Sequence, residues 1–311
     1  MNLYKSLIFI LYLGIFLGSG FRTPAQSRDS ITLYGTLDTV QVIRQRIQHA
    51  NEANAGARVT HISPAILQAN KTLSLAELLT DHTSIYIKSL GTGALSTASF
   101  RGTSASQTRV NWNGINITPP LSGTFDFSQI PVFFTDNINL YYGSSHVKNG
   151  TGAIGGSVNL FTDTDWNRGV NGRVLAEYGS YNTYTVGGQA NISGNKSASK
   201  TRLYYQHSDN DYTYLNKVLT NTPFREKRQD AAYSQFGIMQ EGYFRVSPYT
   251  RLTAVAWYQK NHRNLPQPLG VVNRSQEDQE ENNFRGYAGL DFSRGIHELH
   301  VKAAWLYFCQ T

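Results

Sequence analysis

The sequence is poor in the features that mark several common classes of protein. Its 311 residues contain a single cysteine, Cys309, so no internal disulfide framework can form. Only 16% of the residues are charged, and the net charge of +7 comes from cations that are scattered along the chain. Scattered cations do not make the basic footprint of a nucleic-acid-binding protein. Beyond residue 25, no segment has the ~20 apolar residues of a spanning helix, so a mature chain that enters a membrane must use β-strands.

Glycine and aromatic residues are abundant instead, with 27 Gly and 19 Tyr. The stretch from Asn139 to Thr162 concentrates both, because two β-branched and aromatic runs flank a glycine-rich segment. Residues 150–155 match the letters G-x-G-x-x-G, but a dinucleotide site needs a helix directly after the glycines. Here a strand pattern, Gly156-Ser-Val-Asn-Leu-Phe161, follows. The stretch therefore predicts a strand, a tight turn and a second strand, and argues against a nucleotide site.

Residues 1–25 are typical of a secretory signal peptide. Lys5 supplies the positive charge, residues 6–18 form the apolar run, and Thr23-Pro-Ala25 places small residues before the predicted cleavage at Gln26. An uncleaved membrane anchor is the alternative, but the run is shorter than the ~20 residues that span a bilayer. We expect residues 26–56 to form an N-terminal tail.

Residues 57–165 have the pattern of a compact α+β domain. Ser63-Pro64 predicts a helix start, and Ser74 and Glu77 have capping-box spacing before a second helix. Residues 108–112 form a strand pattern that ends at Asn113-Gly114, the dipeptide most typical of a two-residue hairpin turn.

Several motifs of this region occur in the order found in the plug domain of TonB-dependent outer-membrane receptors. They are Leu75-Ala-Glu-Leu-Leu79, Phe100-Arg101-Gly102, Asn111-Trp-Asn-Gly-Ile-Asn116, Ile130-Pro131, Ile138-Asn-Leu-Tyr-Tyr-Gly143 and Gly152-Ala-Ile-Gly-Gly-Ser-Val-Asn-Leu160. The resemblance covers about residues 37–162 and is closest to the Bacteroidetes members often called cobalamin-receptor-like. Two steps depart from the family pattern: Trp112-Asn-Gly114 lacks an acidic residue before the glycine, and Tyr142-Gly143 replaces an Arg-Gly step.

The resemblance implies roles for two groups of residues. Leu37, Asp38, Thr39, Val40, Gln41 and Val42 lie where the family keeps its TonB box, an extended peptide that would pair with a strand edge of the periplasmic partner TonB. An ordinary first plug strand or an unrelated polar tail is the alternative. The structural motif of the plug comprises Arg101, Gly102, Gly152, Gly155 and Gly156. We expect Arg101 to hold the plug against the barrel wall through charge-assisted hydrogen bonds, rather than to bind a ligand anion.

Residues 166–311 predict about seven strands joined alternately by short turns and long polar loops, as in outer-membrane barrels. Apolar residues alternate along the strands, and one side of a strand carries Leu252, Ala254, Ala256 and Tyr258. The predicted fold class is an α+β plug domain followed by antiparallel transmembrane β-barrel strands; a soluble β-sandwich is the alternative. A plugged transporter barrel has about 22 strands, so we expect the chain to be an N-terminal piece of a longer receptor.

The predicted activity is uptake of a scarce, large nutrient across the outer membrane, without enzymatic chemistry. On the resemblance alone, cobalamin is preferred to ferric siderophores; a non-transporting surface binding protein is the alternative. The candidate ligand contacts are Leu90, Thr92, Leu95, Pro119, Leu121 and Tyr212. No arrangement of nucleophile and base, and no assignable pair of carboxylates, indicates catalysis.

Two sets of residues invite a metal interpretation. Asp209 and Asp211 could ligate calcium through their oxygens, as loop carboxylates do in the cobalamin branch, although a solvated loop is the simpler interpretation. His297 and His300 are three apart on a predicted strand, so they point to opposite faces and are discounted as a metal site.

Overall fold

The structure is a computed structural model that describes residues 58–143, 153–218, 223–266 and 277–311. The predicted signal peptide, the TonB box at residues 37–42 and Gly152 lie outside these ranges. The described chain forms a small α+β unit, here called the plug, and then a seven-stranded antiparallel sheet, here called the wall. No helix within the described residues is both long enough and apolar enough to span a membrane.

The plug is built around a five-stranded sheet with the strand order β1-β6-β7-β4-β5. Its elements are β1 (Arg58–Ile62), α1 (Pro64–Ala69), α2 (Leu75–His82), β2 (Tyr86–Ser89), β3 (Ser96–Ser99), β4 (Thr108–Trp112), β5 (Ile115–Asn116), β6 (Asn137–Tyr142) and β7 (Gly156–Phe161). Strands β4 and β7 pair in parallel, the other pairs of this sheet are antiparallel, and β2 and β3 form a separate hairpin. Short 3₁₀ turns cover Ala105–Gln107, Phe127–Gln129 and Val132–Phe134.

Local sequence explains where these elements begin and turn. The Ser74 hydroxyl accepts a hydrogen bond from the backbone N–H of Glu77, and the Glu77 carboxylate accepts one from the backbone N–H of Ser74 at 2.8 Å, which confirms the capping box. Asn113 and Gly114 have φ values of +50° and +83°. Two successive positive φ values match the type I′ turn that the Asn-Gly dipeptide predicts between β4 and β5.

The wall consists of seven long strands that pair in an unbroken antiparallel series. They are β8 (Gly169–Gly179), β9 (Thr183–Ser193), β10 (Ser197–Ser208), β13 (Tyr233–Ser247), β14 (Thr250–Asn264), β15 (Asp278–Arg294) and β16 (His297–Gln310). The long connection after β10 carries a small hairpin of β11 (Thr213–Asn216) and β12 (Phe224–Lys227). Short turns at residues 194–196, 248–249 and 295–296 lie at one end of the strands, and the long connections lie at the other.

The two faces of the wall differ in polarity because side chains alternate along each strand. The face turned away from the plug is apolar and exposed: Val174 is 81% exposed, Trp305 68% and Val301 52%. Near the long-loop ends, this face carries a row of rings from Tyr178, Tyr184, Tyr205, Phe236, Tyr258, Phe284 and Tyr307. Apolar belts edged by aromatic rings are typical of outer-membrane barrels. The opposite face packs on the plug, and the two share one core.

Candidate functional site

Aromatic rings from the plug and the wall interlock at the centre of their interface. Trp112 of β4 lies 5.4 Å from Trp257 and 5.3 Å from Tyr287, measured between ring centroids. Phe134 lies 5.3 Å from Trp257 and packs over Gly237 of β13, where an added Cβ would be only 2.6 Å from the ring. Such contacts bury large apolar surfaces, so they contribute much of the free energy that keeps the plug in place.

A buried charged group, here called the Asp136 cluster, joins the start of β6 to two wall strands. Asp136 accepts hydrogen bonds from Lys200 at 3.0 Å, from Arg202, and from the backbone N–H of Asp163 at 3.0 Å. Arg202 also donates to the carbonyl oxygen of Phe133. Its Nε lies 3.1 Å from Glu241, at ion-pair distance but without hydrogen-bond geometry. Burial would raise the pKa of Asp136, but Arg202 and Lys200 outweigh it and lower that pKa to about 2.

Lys71, a residue of the plug, places a further cation next to the Asp136 cluster. Its ammonium donates to the carbonyl oxygens of Thr135 at 2.5 Å and Val132 at 3.4 Å. Burial lowers the pKa of Lys71 to about 8, and Asp136 offsets only part of that effect. Lys71 therefore binds the backbone just before β6 by donating hydrogen bonds, and its desolvation carries a cost in stability at neutral pH.

Neutral side chains and one further ion pair hold the plug nearer the long loops. Arg263 of β14 pairs with Asp126 at 2.7 Å, and both side chains are largely buried. The amides of Gln235 and Gln259 donate to the backbone carbonyls of residues 128 and 129, the first at 2.9 Å. Toward the short-turn end, Lys302 donates to the carbonyl oxygen of residue 113 at 2.6 Å.

The hydrogen bonds between plug and wall run in one direction, from donors on the wall to acceptors on the plug. Among the described residues, the wall supplies the donor and the plug supplies the acceptor in nearly every hydrogen bond recorded between them; the hydroxyl pair of Thr162 and Tyr243 is ambiguous. The wall donors are Arg173, Lys200, Arg202, Tyr204, Asn210, Gln235, Gln259, Arg263 and Lys302. The wall face beneath the plug is therefore rich in cations and N–H groups.

The structure brings three of the six predicted ligand residues together. Leu90, Thr92 and Tyr212 line a cleft at the long-loop end. Asn210 connects its two sides by donating to the carbonyl oxygen of Thr92 at 3.0 Å. The cleft has a volume of about 50 Å³, which suits one or two waters. Leu95, Pro119 and Leu121 do not line this cleft, and Leu121 is fully exposed.

The plug motif is partly explained by backbone geometry. A Cβ on Gly155 would collide with the hydroxyl of Thr103, and one on Gly156 would be 2.5 Å from the carbonyl oxygen of Tyr141. Gly102 has a φ of +79°, which favours glycine. Arg101 is exposed, and its guanidinium lies 5.9 Å from the Tyr142 ring. Within the described ranges no hydrogen bond joins Arg101 to the wall, and its anchoring role stays a prediction. Asp126 and Asp136 of the plug do bind wall residues.

The carboxylates proposed for calcium already have partners. Asp209 accepts hydrogen bonds from His207 and Asn182, which lower its pKa, and Asp211 pairs with Lys227 at 2.6 Å. No group of three or more potential metal-ligating side chains occurs in the part of the chain that the structure describes. The calcium site stays a prediction. His300 binds Asp291 at 2.7 Å.

Comparison with known proteins identifies the domain. Residues 51–157 match the family model of the TonB-dependent receptor plug domain. Over 135 residues the chain is 32% identical to the vitamin B12 transporter BtuB of Photobacterium profundum. The aligned segment is 43% of this chain and 22% of that protein. It is 32% identical over 126 residues to BtuB of Vibrio cholerae. That aligned segment is 40% of this chain and 20% of that protein.

Solved receptor structures extend the likeness into the wall. The ferric enterobactin receptor PfeA of Pseudomonas aeruginosa superposes with a TM-score of 0.64 at 13% identity, covering 84% of this chain and 42% of that one. The siderophore receptor PiuA of Acinetobacter baumannii gives a TM-score of 0.61 at 18% identity, covering 81% and 36%. At these identities the likeness shows the fold alone.

Residues 51–157 therefore match the plug domain of TonB-dependent receptors, and the antiparallel strands behind them share the fold of the solved receptors. The predicted fold class, an α+β plug followed by antiparallel barrel strands, is confirmed. The chain spans about a fifth of the length of the curated relatives that it matches and about two fifths of the solved receptors.

Proposed function

We propose that this protein is an outer-membrane receptor that binds a scarce, large nutrient outside the cell and passes it inward as the plug rearranges. The observation that carries the proposal is the plug itself, which packs on the inner face of the wall and is held there by the Asp136 cluster and the Trp112–Trp257 contact. A domain in that position blocks the path along the wall, so it must move or reshape before a large nutrient can pass.

Two nutrient classes are supported to different degrees. Corrinoids come first because the curated relatives that the chain matches are named vitamin B12 transporters. Ferric siderophores come second because the solved receptors of similar fold are named for them. Leu90, Thr92 and Tyr212, which share the cleft at the long-loop end, are the proposed first contacts with the nutrient.

Growth of a strain from which the gene is deleted tests the receptor function. The strain is grown on limiting corrinoid and, separately, on limiting iron supplied as ferric siderophore, and uptake of each labelled nutrient is measured. We expect one uptake to be lost and to return when the gene is restored. Unchanged uptake of both classes would contradict a transport role, and surface binding without uptake would favour a non-transporting binding protein.

We further propose that residues 37–42 form the segment that engages TonB. Replacing Thr39 by Pro removes a backbone N–H and prevents strand addition, whereas Thr39→Ala keeps the N–H and serves as the matched control. We expect Thr39→Pro and Val40→Pro to abolish uptake while binding at the cell surface continues. Normal uptake by both proline variants would contradict the assignment of the box.

A further inference from the structure

Three arginines lie in one cross-strand row halfway along the wall. The register aligns Arg173 of β8 with Arg202 of β10 through Gln189, and aligns Arg202 with Arg285 of β15 through Met239 and Trp257. All three arginines point toward the plug. The row contains no carboxylate between Arg173 and Arg285, because its other members are Gln189, Met239 and Trp257. We call these three residues the arginine belt.

The plug occupies the donors of the first two arginines. Arg173 donates to the side-chain oxygen of Gln68 in α1. Arg202 donates to the carbonyl oxygen of Phe133 and to Asp136. All three acceptors belong to the plug, so they leave these guanidinium groups if that part of the plug moves.

Arg285 is the least compensated member. Its side chain is 2% exposed, its Nη1 donates to the neutral amide of Gln259 at 3.0 Å, and Gln259 donates in turn to the plug carbonyl of Gln129. Its Nε has no hydrogen-bond partner, and no carboxylate lies within ion-pair distance among the described residues. The rings of two wall residues flank the guanidinium: its central carbon lies 4.5 Å from the centroid of Trp257 and 5.8 Å from that of Phe308. The plug residue Trp112 packs on Trp257 in turn.

A buried guanidinium without a carboxylate is costly, because its desolvation is not repaid by an opposite charge. Among the described residues of the wall, Glu241 is the one carboxylate within ion-pair distance of the belt, at 3.1 Å from Nε of Arg202. Motion of the plug would therefore remove the acceptors of Arg173 and Arg202 and leave a row of cations on the plug-facing side of the wall. In pores, rings of arginine and lysine select anions.

We infer that the arginine belt binds an anionic cargo during its passage, and that the plug's acceptors occupy the belt until then. The inference rests on the proposed transport function and narrows its substrate to a multiply anionic metal chelate, such as a ferric tris-catecholate. A neutral corrinoid such as cyanocobalamin gains nothing from the belt, so the inference favours the second of the two nutrient classes.

The test measures surface binding and uptake separately in cells that express the gene with single substitutions. Arg285→Met removes the charge, Arg285→Lys keeps it, and Arg173→Gln tests a second, exposed member whose loss leaves no buried group unpaired. Lys260→Met is the matched control, because Lys260 lies on the outer face of the wall and pairs with Glu280 at 2.9 Å. Surface labelling and heat-modifiable migration check that each variant folds.

We expect uptake of the ferric tris-catecholate to fall roughly tenfold in Arg285→Met and less in Arg285→Lys, the loss expected for one charge-assisted hydrogen bond. Surface binding and the Lys260→Met control should be unchanged, because the belt lies beneath the plug. Unchanged uptake in folded Arg285→Met and Arg173→Gln would overturn the belt. If the wild type takes up cyanocobalamin but not the chelate, the belt inference is also overturned while the proposed function stands. If the wild type takes up neither nutrient, the proposed function itself is contradicted.

Discussion

Removing the charge of Asp136 should loosen the plug from the wall. In Asp136→Asn, the side chain keeps its shape, but Lys200 and Arg202 lose their shared carboxylate. The folded-state pKa of Asp136 is about 2, against an ordinary value of 3.8, and a shift of that size corresponds to about 2 kcal/mol of stability. Breaking a fully buried pair costs about 3–5 kcal/mol, and Arg202 retains Glu241, so we expect a loss of about 2–3 kcal/mol.

Tryptophan fluorescence offers a direct assay of this loss. Trp112 of the plug and Trp257 of the wall are in contact, so separation of the plug during a urea titration in detergent should change their emission. The matched control is Asp165→Asn, because Asp165 makes an exposed pair with Arg168, and such pairs contribute about 0–1 kcal/mol.

The stabilising effect of Asp136 should depend on pH in a defined direction. The pKa of Asp136 is lower in the folded protein than in the unfolded chain, so its stabilising effect is complete above the unfolded value of 3.8 and is lost as the pH falls through about 2. The difference in unfolding free energy between wild type and Asp136→Asn should therefore be constant above about pH 5 and disappear near pH 2. A difference that is absent at neutral pH, or that persists undiminished at pH 2, would refute the reasoning.

Three further changes test other parts of the interface and the plug by the same titration. Gly237→Ala places a methyl group 2.6 Å from the Phe134 ring and should cost about 1–3 kcal/mol, whereas Gly188→Ala enters open space and should not; equal effects would contradict the tight packing. Lys71 has a pKa of about 8 when folded, below 10.5, so stability should rise with pH between these values, and Lys71→Met should remove that rise. Ser74→Ala loses the capping box and should cost about 1 kcal/mol, so an unchanged urea midpoint would contradict that role.

Features that depend on neighbouring residues were predictable from the sequence. The capping box at Ser74 and the turn at Asn113-Gly114 each need only a few adjacent residues, and the structure has both. The strand series of the wall was predictable because apolar alternation and turn residues repeat along the chain. The side of β14 that carries Leu252, Ala254 and Ala256 is the exposed one, as the alternation requires.

The Asp136 cluster was not predictable in the same way, because its members are far apart in the chain. Asp136 and Arg202 are separated by 66 positions, and nothing local shows that either is buried. One sign was available: Lys200 and Arg202 occupy alternate positions on β10 together with Tyr204, so charges lie on the face that a soluble sheet would fill with apolar residues. The role expected for Arg101 stays a prediction, because a family motif identifies a residue without showing its contacts.

The position of β7 in the plug has a consequence for the order of assembly. This strand is the last of the plug in sequence, yet it lies in the middle of the sheet, between β6 and β4, and is the parallel partner of β4. Until Phe161 is available, the hairpin of β4 and β5 and the pair of β1 and β6 are separate fragments with unpaired edges. Closure at such sequence distance is slow, so the plug should complete its sheet late, when the residues that lead into the wall are already present.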